Sequence, residues 1–177
     1  MKKALASWSG MRKYLEQDML APSLQGRVQY RRATYPGMDG DGVFEVRLDG
    51  VLAKRCSLET VNSYFLENGL KKNVNPDGKS EYWEEFWALS ARIQVRERPA
   101  HTDAEFCEAL ALYRNQNIQD SLHAENPLVR MFAILDRRVG KRTLLREMDA
   151  LKRQPPWLQA FYQFRFCAEQ LDTVKTH

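Results

Sequence analysis

Residues 43–53 read VFEVRLDGVLA, and this stretch predicts a β-hairpin. Before the turn, apolar residues stand two positions apart, which places them on one face of a strand. These residues are Phe44, Val46 and Leu48. The Asp49-Gly50 pair favours a two-residue turn, and an apolar second strand follows it. We therefore expect two antiparallel strands that meet at this turn.

A third strand and a helix precede the hairpin. Polar and apolar residues alternate roughly over residues 27–35, and the glycine-rich loop 36–42 leads to the next strand. Short connections place consecutive strands side by side, which predicts a three-strand antiparallel meander. Residues 4–20 carry apolar side chains at steps of three and four, which predicts a leading helix that Pro22 ends.

The chain shows helical periodicity after the meander. Helix starts are indicated by Ser57 as an N-cap, by a capping box at residues 102–105 and by Asn126-Pro127. Glycine and proline residues separate the helical segments. Strands followed by helices predict an α+β fold, with a leading helix, a three-strand antiparallel meander and then a set of about six helices.

Length and composition fit a folded soluble protein. The chain has 177 residues, of which 44% are hydrophobic, and its net charge of +4 excludes disorder as the main state. Residues 1–70 would form one part, with helix, meander and following helix, and residues 80–177 a helical part packed on it. A single domain also remains open. No apolar run is long enough to span a bilayer, so we expect no membrane association.

Three cysteines, odd in number and far apart, argue against a secreted disulfide scaffold and favour a reduced, cytoplasmic protein. Cys107 and Cys167 stand among apolar neighbours. We therefore expect buried thiols there rather than reactive ones.

Motifs for metal, nucleotide and nucleophile chemistry fail on inspection. The loop at 37–42 begins like a calcium loop, but Gly50 stands where its last ligand belongs. Leu135 occupies the position at which a phosphate loop ending at residues 140–143 requires its first glycine. The histidines lack the spacing of zinc ligands, and no serine lies in a nucleophile elbow. We expect no metal and no cofactor.

Trp83 and Trp87 are four residues apart and lie on one side of a predicted helix. Core packing is the first interpretation of such a pair. An exposed aromatic surface for stacking or self-association is the alternative.

Charge is distributed unevenly along the chain. Residues 126–177 carry 10 basic and 5 acidic residues, a net +5, whereas residues 99–125 carry 1 basic and 5 acidic residues, a net −4. Asp136 is adjacent to the densest cations but is expected to point elsewhere, and the helix either continues through Gly140 or breaks there. The basic segment, our candidate anion-binding group, comprises Arg137, Arg138, Lys141, Arg142 and Arg146.

Two stretches resemble a known family. Residues 8–30 open with Trp-Ser-Gly-Met-Arg-Lys-Tyr, and residues 133–144 contain Asp-Arg-Arg-Val-Gly-Lys-Arg. They are similar to a family of small, uncharacterised bacterial proteins, and the similarity covers most of the chain. The resemblance implies a bacterial cytoplasmic protein to whose design the basic segment belongs. It supplies no activity and no catalytic residues.

Three functions remain open from the sequence. The first is a non-enzymatic cytoplasmic binding or adaptor protein whose basic C-terminal surface meets an anionic partner, nucleic acid or an acidic protein. The second is a small enzyme that binds a carboxylate- or phosphate-bearing substrate between sheet and helices. The third is a homo-oligomeric scaffold assembled through the aromatic surface. The sequence favours a binding protein over an enzyme.

Overall fold

A computed structural model describes residues 7–34 and 42–171 of the chain. Three strands form one antiparallel sheet in the order β1-β2-β3, which confirms the meander. Most of the predicted loop 36–42 lies outside the described residues. The strands are β1 Val28–Thr34, β2 Gly42–Leu48 and β3 Val51–Cys56.

The hairpin turn between β2 and β3 has the predicted chemistry. Asp49 and Gly50 have φ angles of 47° and 82°, the left-handed conformation that a tight hairpin turn requires. The Asp49 carboxylate also accepts two hydrogen bonds from the Arg27 guanidinium, at 3.0 and 2.7 Å. Strand β3 continues three residues beyond the predicted apolar run and therefore includes Lys54.

The leading helix changes its winding partway along. Ser7 caps α1, Trp8–Lys13, through a hydrogen bond from the Gly10 amide, and a π-helical turn over Tyr14–Asp18 follows. The first residues of the predicted helix 4–20 lie outside the described part of the chain.

Seven α-helices follow the sheet within the described residues, one more than predicted. The additional helix is α5, Ile118–Leu122, which begins because Asn117 accepts a hydrogen bond from the Asp120 amide and caps it; the predicted helix starts did not include Asn117. The seven are α2 Leu58–Glu67, α3 Lys79–Arg92, α4 Asp103–Asn115, α5 Ile118–Leu122, α6 Pro127–Leu135, α7 Lys141–Glu147 and α8 Pro156–Ala168.

Two clusters of buried side chains hold these elements together. In the larger cluster, the sheet packs against α4, α6 and α8, with the Phe44 and Phe106 rings stacked 4.5 Å apart. In the smaller cluster, α2 packs against α3 through Phe65 and Phe86. The smaller cluster joins the two sides of the predicted boundary at 70–80, and the division into domains stays a prediction.

Helix periodicity explains two departures from the expected burial. Cys107 and Cys167 are exposed rather than buried, because each lies beside the apolar stripe of its helix. Cys56 is the buried thiol, and burial raises its pKa to about 12. None of the helices within residues 7–34 and 42–171 combines the length and apolar character needed to cross a bilayer.

Candidate functional site

The basic segment spans a break between two helices. Helix α6 ends at Leu135 and α7 begins at Lys141, so the chain is not helical where it approaches Gly140. Residues on either side of Asp136 pair with the segment after the leading helix. The Ala21 amide donates to the Leu135 carbonyl at 3.0 Å, and the Arg137 amide donates to the Met19 carbonyl at 2.8 Å. These bonds fix the backbone that carries the first two arginines.

A buried network surrounds Asp136, whose exposed fraction is 1%. Its carboxylate accepts hydrogen bonds from the Tyr113 hydroxyl, from the Arg138 amide at 2.7 Å and from Arg138 Nη2 at 2.6 Å. The prediction that Asp136 points away from the cations is therefore wrong. It fails because the backbone turns at residues 136–138 instead of continuing as a helix, which returns the Arg138 side chain to the carboxylate.

The network raises the pKa of both side chains that donate to Asp136, which leaves one of them charged and the other neutral. Hydrogen bonding to Asp136 raises the pKa of Arg138 and keeps that guanidinium charged. Burial, and then the neighbouring Asp136 charge, raise the pKa of Tyr113, so this phenol stays neutral. A buried carboxylate satisfied in this way holds structure in place, and Arg138 is its counter-ion.

The other four members of the basic segment are exposed, and the Arg138 side chain, although paired with Asp136, is itself 41% exposed. Within residues 7–34 and 42–171, no carboxylate forms an ion pair with any of the other four. Arg142 and Arg146 are one helical turn apart on α7 and share a side of it. Arg146 also donates to the Thr143 hydroxyl at 3.3 Å. We call these four residues the basic surface: Arg137, Lys141, Arg142 and Arg146.

A cavity of about 550 Å³ lies between the end of β3, α2, residues 99–100 and Trp157 of α8. Lys54 forms part of its wall and has an exposed fraction of 6%. The Lys54 ammonium donates to the Pro99 carbonyl and lies 4.0 Å from the centre of the Trp157 ring. Sequence reasoning missed this site because the two contacts of Lys54, Pro99 and Trp157, follow it by 45 and 103 residues.

Two buried polar side chains contact residues of the cavity wall: His101 lies against Trp157, and Arg98 donates to the Ala100 carbonyl. His101 is fully buried, with Nε2 3.0 Å from the Val95 carbonyl and its ring 5.5 Å from that of Trp157. Burial, followed by the nearby Lys54 charge, lowers the pKa of His101 to about 3. Beside it, the buried Arg98 guanidinium forms an ion pair with Glu105.

The two tryptophans lie on α3, and neither of them lines the cavity. Trp87 has an exposed fraction of 56%, so core packing does not hold for it, while Trp83 is half-buried and meets the Phe86 ring edge-on at 5.6 Å. Tyr82, Phe86 and Leu89 form the buried face of α3. No group of three potential metal ligands occurs among the residues that the structure describes.

Comparison with known proteins identifies a family. No curated protein and no solved structure matches the chain. The sequence model of one family does match, over residues 7–166, and this range includes both stretches on which the resemblance was based. With the greater part of its length matched, the chain belongs to the SF0329 protein family.

Proposed function

We propose that this protein is a non-enzymatic binding or adaptor protein of the bacterial cytoplasm, and that its basic surface contacts an anionic partner. Nucleic acid is the partner that the charge pattern favours, since Lys and Arg side chains neutralise backbone phosphates without needing a shaped pocket. The supporting observation is that four exposed cations occur within ten residues and form no ion pair with a described carboxylate.

The network at Asp136 fixes the backbone next to the basic surface. It occupies Arg138, and together with the Arg137 amide bond to Met19 it fixes the backbone from which the basic surface projects. Lys141 and Arg142 occupy the first turn of α7, where the helix dipole disfavours cations. An external phosphate beside them would relieve that repulsion and complete the charge balance.

The test is a charge reversal of the basic surface, Lys141→Glu with Arg142→Glu and Arg146→Glu. A matched control reverses three other exposed cations, Lys72→Glu with Lys79→Glu and Arg92→Glu, for the same change of net charge. Retention on heparin and on duplex DNA is measured from about 50 mM salt upward, where counterion release makes phosphate binding strongest. We expect the first variant to elute at much lower salt than the control.

The salt dependence of DNA affinity gives a second readout. Each lost phosphate contact lowers the slope of log K against log salt by about 0.9, so the α7 variant should lose about two to three. Equal losses in both variants, or no retention of the wild-type protein at low salt, would contradict a nucleic-acid partner. Retention on heparin alone would point to an acidic protein instead.

One observation supports each of the two alternative functions, the small enzyme and the homo-oligomeric scaffold. A small enzyme with its substrate between sheet and helices has the cavity at Lys54 as support. A homo-oligomeric scaffold has the exposed Trp87 as support, and sedimentation over a range of concentrations tests it. A monomer at all concentrations would remove the scaffold.

A further inference from the structure

We propose that the cavity between β3, α2 and α8 binds a small carbonyl compound that carries hydroxyl groups, and that the Lys54 amine forms an imine with its carbonyl carbon. The site lies in a different part of the molecule from the basic surface, so either proposal can fail without the other.

The geometry provides a cavity of suitable size with an amine in its wall. Its volume of about 550 Å³ falls within the range of small-molecule sites. The Lys54 Nζ lies between the Pro99 carbonyl and the Trp157 ring, and both of these residues also line the cavity. The amine is therefore held at the cavity wall by two neutral partners, which fix its position without neutralising a charge.

Burial enlarges the share of neutral, nucleophilic amine at Lys54, whereas the Pro99 carbonyl and the Trp157 ring both favour the ammonium form. Within the described part of the chain, no carboxylate pairs with Nζ, and burial lowers the pKa of Lys54 to about 8. Arg98 adds repulsion, whereas Cys56 and Glu105 act in the opposite direction. Glu105 is already engaged by Arg98, and the nearby His101 is neutral at physiological pH because of its own low pKa.

The lining indicates an uncharged, hydroxylated ligand. Two cations, Lys54 and Arg55, and two carboxylates, Glu59 and Glu67, line the cavity, so even with Lys54 protonated the lining has no net positive charge and favours a neutral ligand over a phosphate or carboxylate. Hydroxyl groups of the ligand can form hydrogen bonds with the two carboxylates and with the hydroxyls of Thr60, Ser63 and Tyr64. The face of the Trp157 ring can pack against the C–H groups of the ligand.

The chemical step is an addition followed by loss of water. The lone pair of Lys54 Nζ forms the new C–N bond while the carbonyl π electrons move to oxygen, which takes up a proton as nitrogen releases one. Departure of this hydroxyl group with a further proton from nitrogen gives the C=N bond and one molecule of water. The step needs no oxidant, reductant or metal.

The experiment uses glycolaldehyde as the probe and cyanoborohydride to trap the imine as a stable secondary amine. Peptide mapping by mass spectrometry then compares the labelling rate of Lys54 with those of the exposed Lys72 and Lys79 at pH 7. A pKa of about 8 instead of 10.5 gives Lys54 about 300 times more neutral amine at this pH. We expect at least tenfold faster labelling of Lys54, since burial restricts access.

Two matched variants separate cavity chemistry from general amine reactivity. Ser63→Phe fills the cavity and leaves Lys54 in place, so labelling of Lys54 should fall at least tenfold while that of Lys72 is unchanged. If circular dichroism shows that Ser63→Phe misfolds, Ser63→Leu is used in its place. Lys54→Arg should abolish the adduct. Labelling of Lys54 no faster than that of Lys72, or unaffected by the filled cavity, would overturn the proposal. Equal rates with acetaldehyde would overturn its requirement for hydroxyl groups.

Discussion

Asp136 and Lys54 are both buried ionisable side chains, and the protein treats them differently. Asp136 receives hydrogen bonds from Tyr113 and from the Arg138 guanidinium, so its charge is matched where it lies. Lys54 has a carbonyl and an aromatic ring as partners and the Arg98 cation nearby. The comparison shows that burial alone does not define a role. A matched charge stabilises the fold, whereas an unmatched one costs stability and leaves a reactive group.

The largest effect is expected at the matched charge. Asp136→Ala should lower the free energy of unfolding by about 3–4 kcal/mol, because it leaves the buried Tyr113 hydroxyl and the Arg138 amide without their acceptor and removes the charged partner of the Arg138 guanidinium. Urea unfolding at neutral pH measures the change, and the exposed Asp149→Ala is the control, with an expected change within about 0.5 kcal/mol. Equal effects of the two substitutions would mean that the network does not stabilise the fold.

The pH dependence of stability tests the surroundings of Lys54 through its buried neighbour His101. Its pKa of about 3 in the folded protein lies below the unfolded value of 6.5, so between these values the unfolded chain binds more protons. The stability that depends on His101 remaining neutral is therefore fully present above pH 6.5 and is lost as the pH falls toward 3. We expect the wild type to lose about 3 kcal/mol more than His101→Gln between pH 7 and pH 4. Parallel pH profiles of the two proteins would contradict this assignment.

Lys54 gives a smaller effect of the same sign in another pH window. Its pKa of about 8 in the folded protein lies below the ordinary 10.5, so the folded state loses its proton first and stability rises with pH across this window. Relative to Lys54→Met, the wild type should gain about 2 kcal/mol between pH 7 and pH 10. The measurement is urea unfolding at several pH values. A constant difference would show that Lys54 titrates normally.

The sequence predicts the fold where the signals are local. The alternation in residues 43–48, the Asp49-Gly50 turn and the caps at Ser57 and Thr102 each act within a few residues, and the structure confirms them. The extra helix α5 was missed because it has only five residues, too few for a visible helical period, and its one local signal is the cap at Asn117.

Neither buried charge could be interpreted from its own neighbourhood in the chain. Tyr113 precedes Asp136 by 23 residues, and Trp157 follows Lys54 by more than 100. Only tertiary packing brings these partners together. The basic segment was visible in the composition, and Gly140 indicated a possible helix break, but no local signal placed the turn at residues 136–138 that pairs Arg138 with Asp136.

The smallest effect on stability is expected at the basic surface, and it separates Arg142 from Arg138. Arg142 is exposed and forms no ion pair with a described carboxylate, so Arg142→Ala should change the free energy of unfolding by less than about 0.5 kcal/mol. Arg138→Ala leaves Asp136 buried without its counter-ion and should cost clearly more. Its effect should also be non-additive with Asp136→Ala, because both substitutions remove the same interaction. Urea unfolding of each single variant and of the Asp136→Ala, Arg138→Ala double variant measures these differences.

Additive losses in the double variant would indicate that Arg138 and Asp136 act independently. A destabilised Arg142→Ala would mean that Arg142 stabilises the fold instead of contacting a partner.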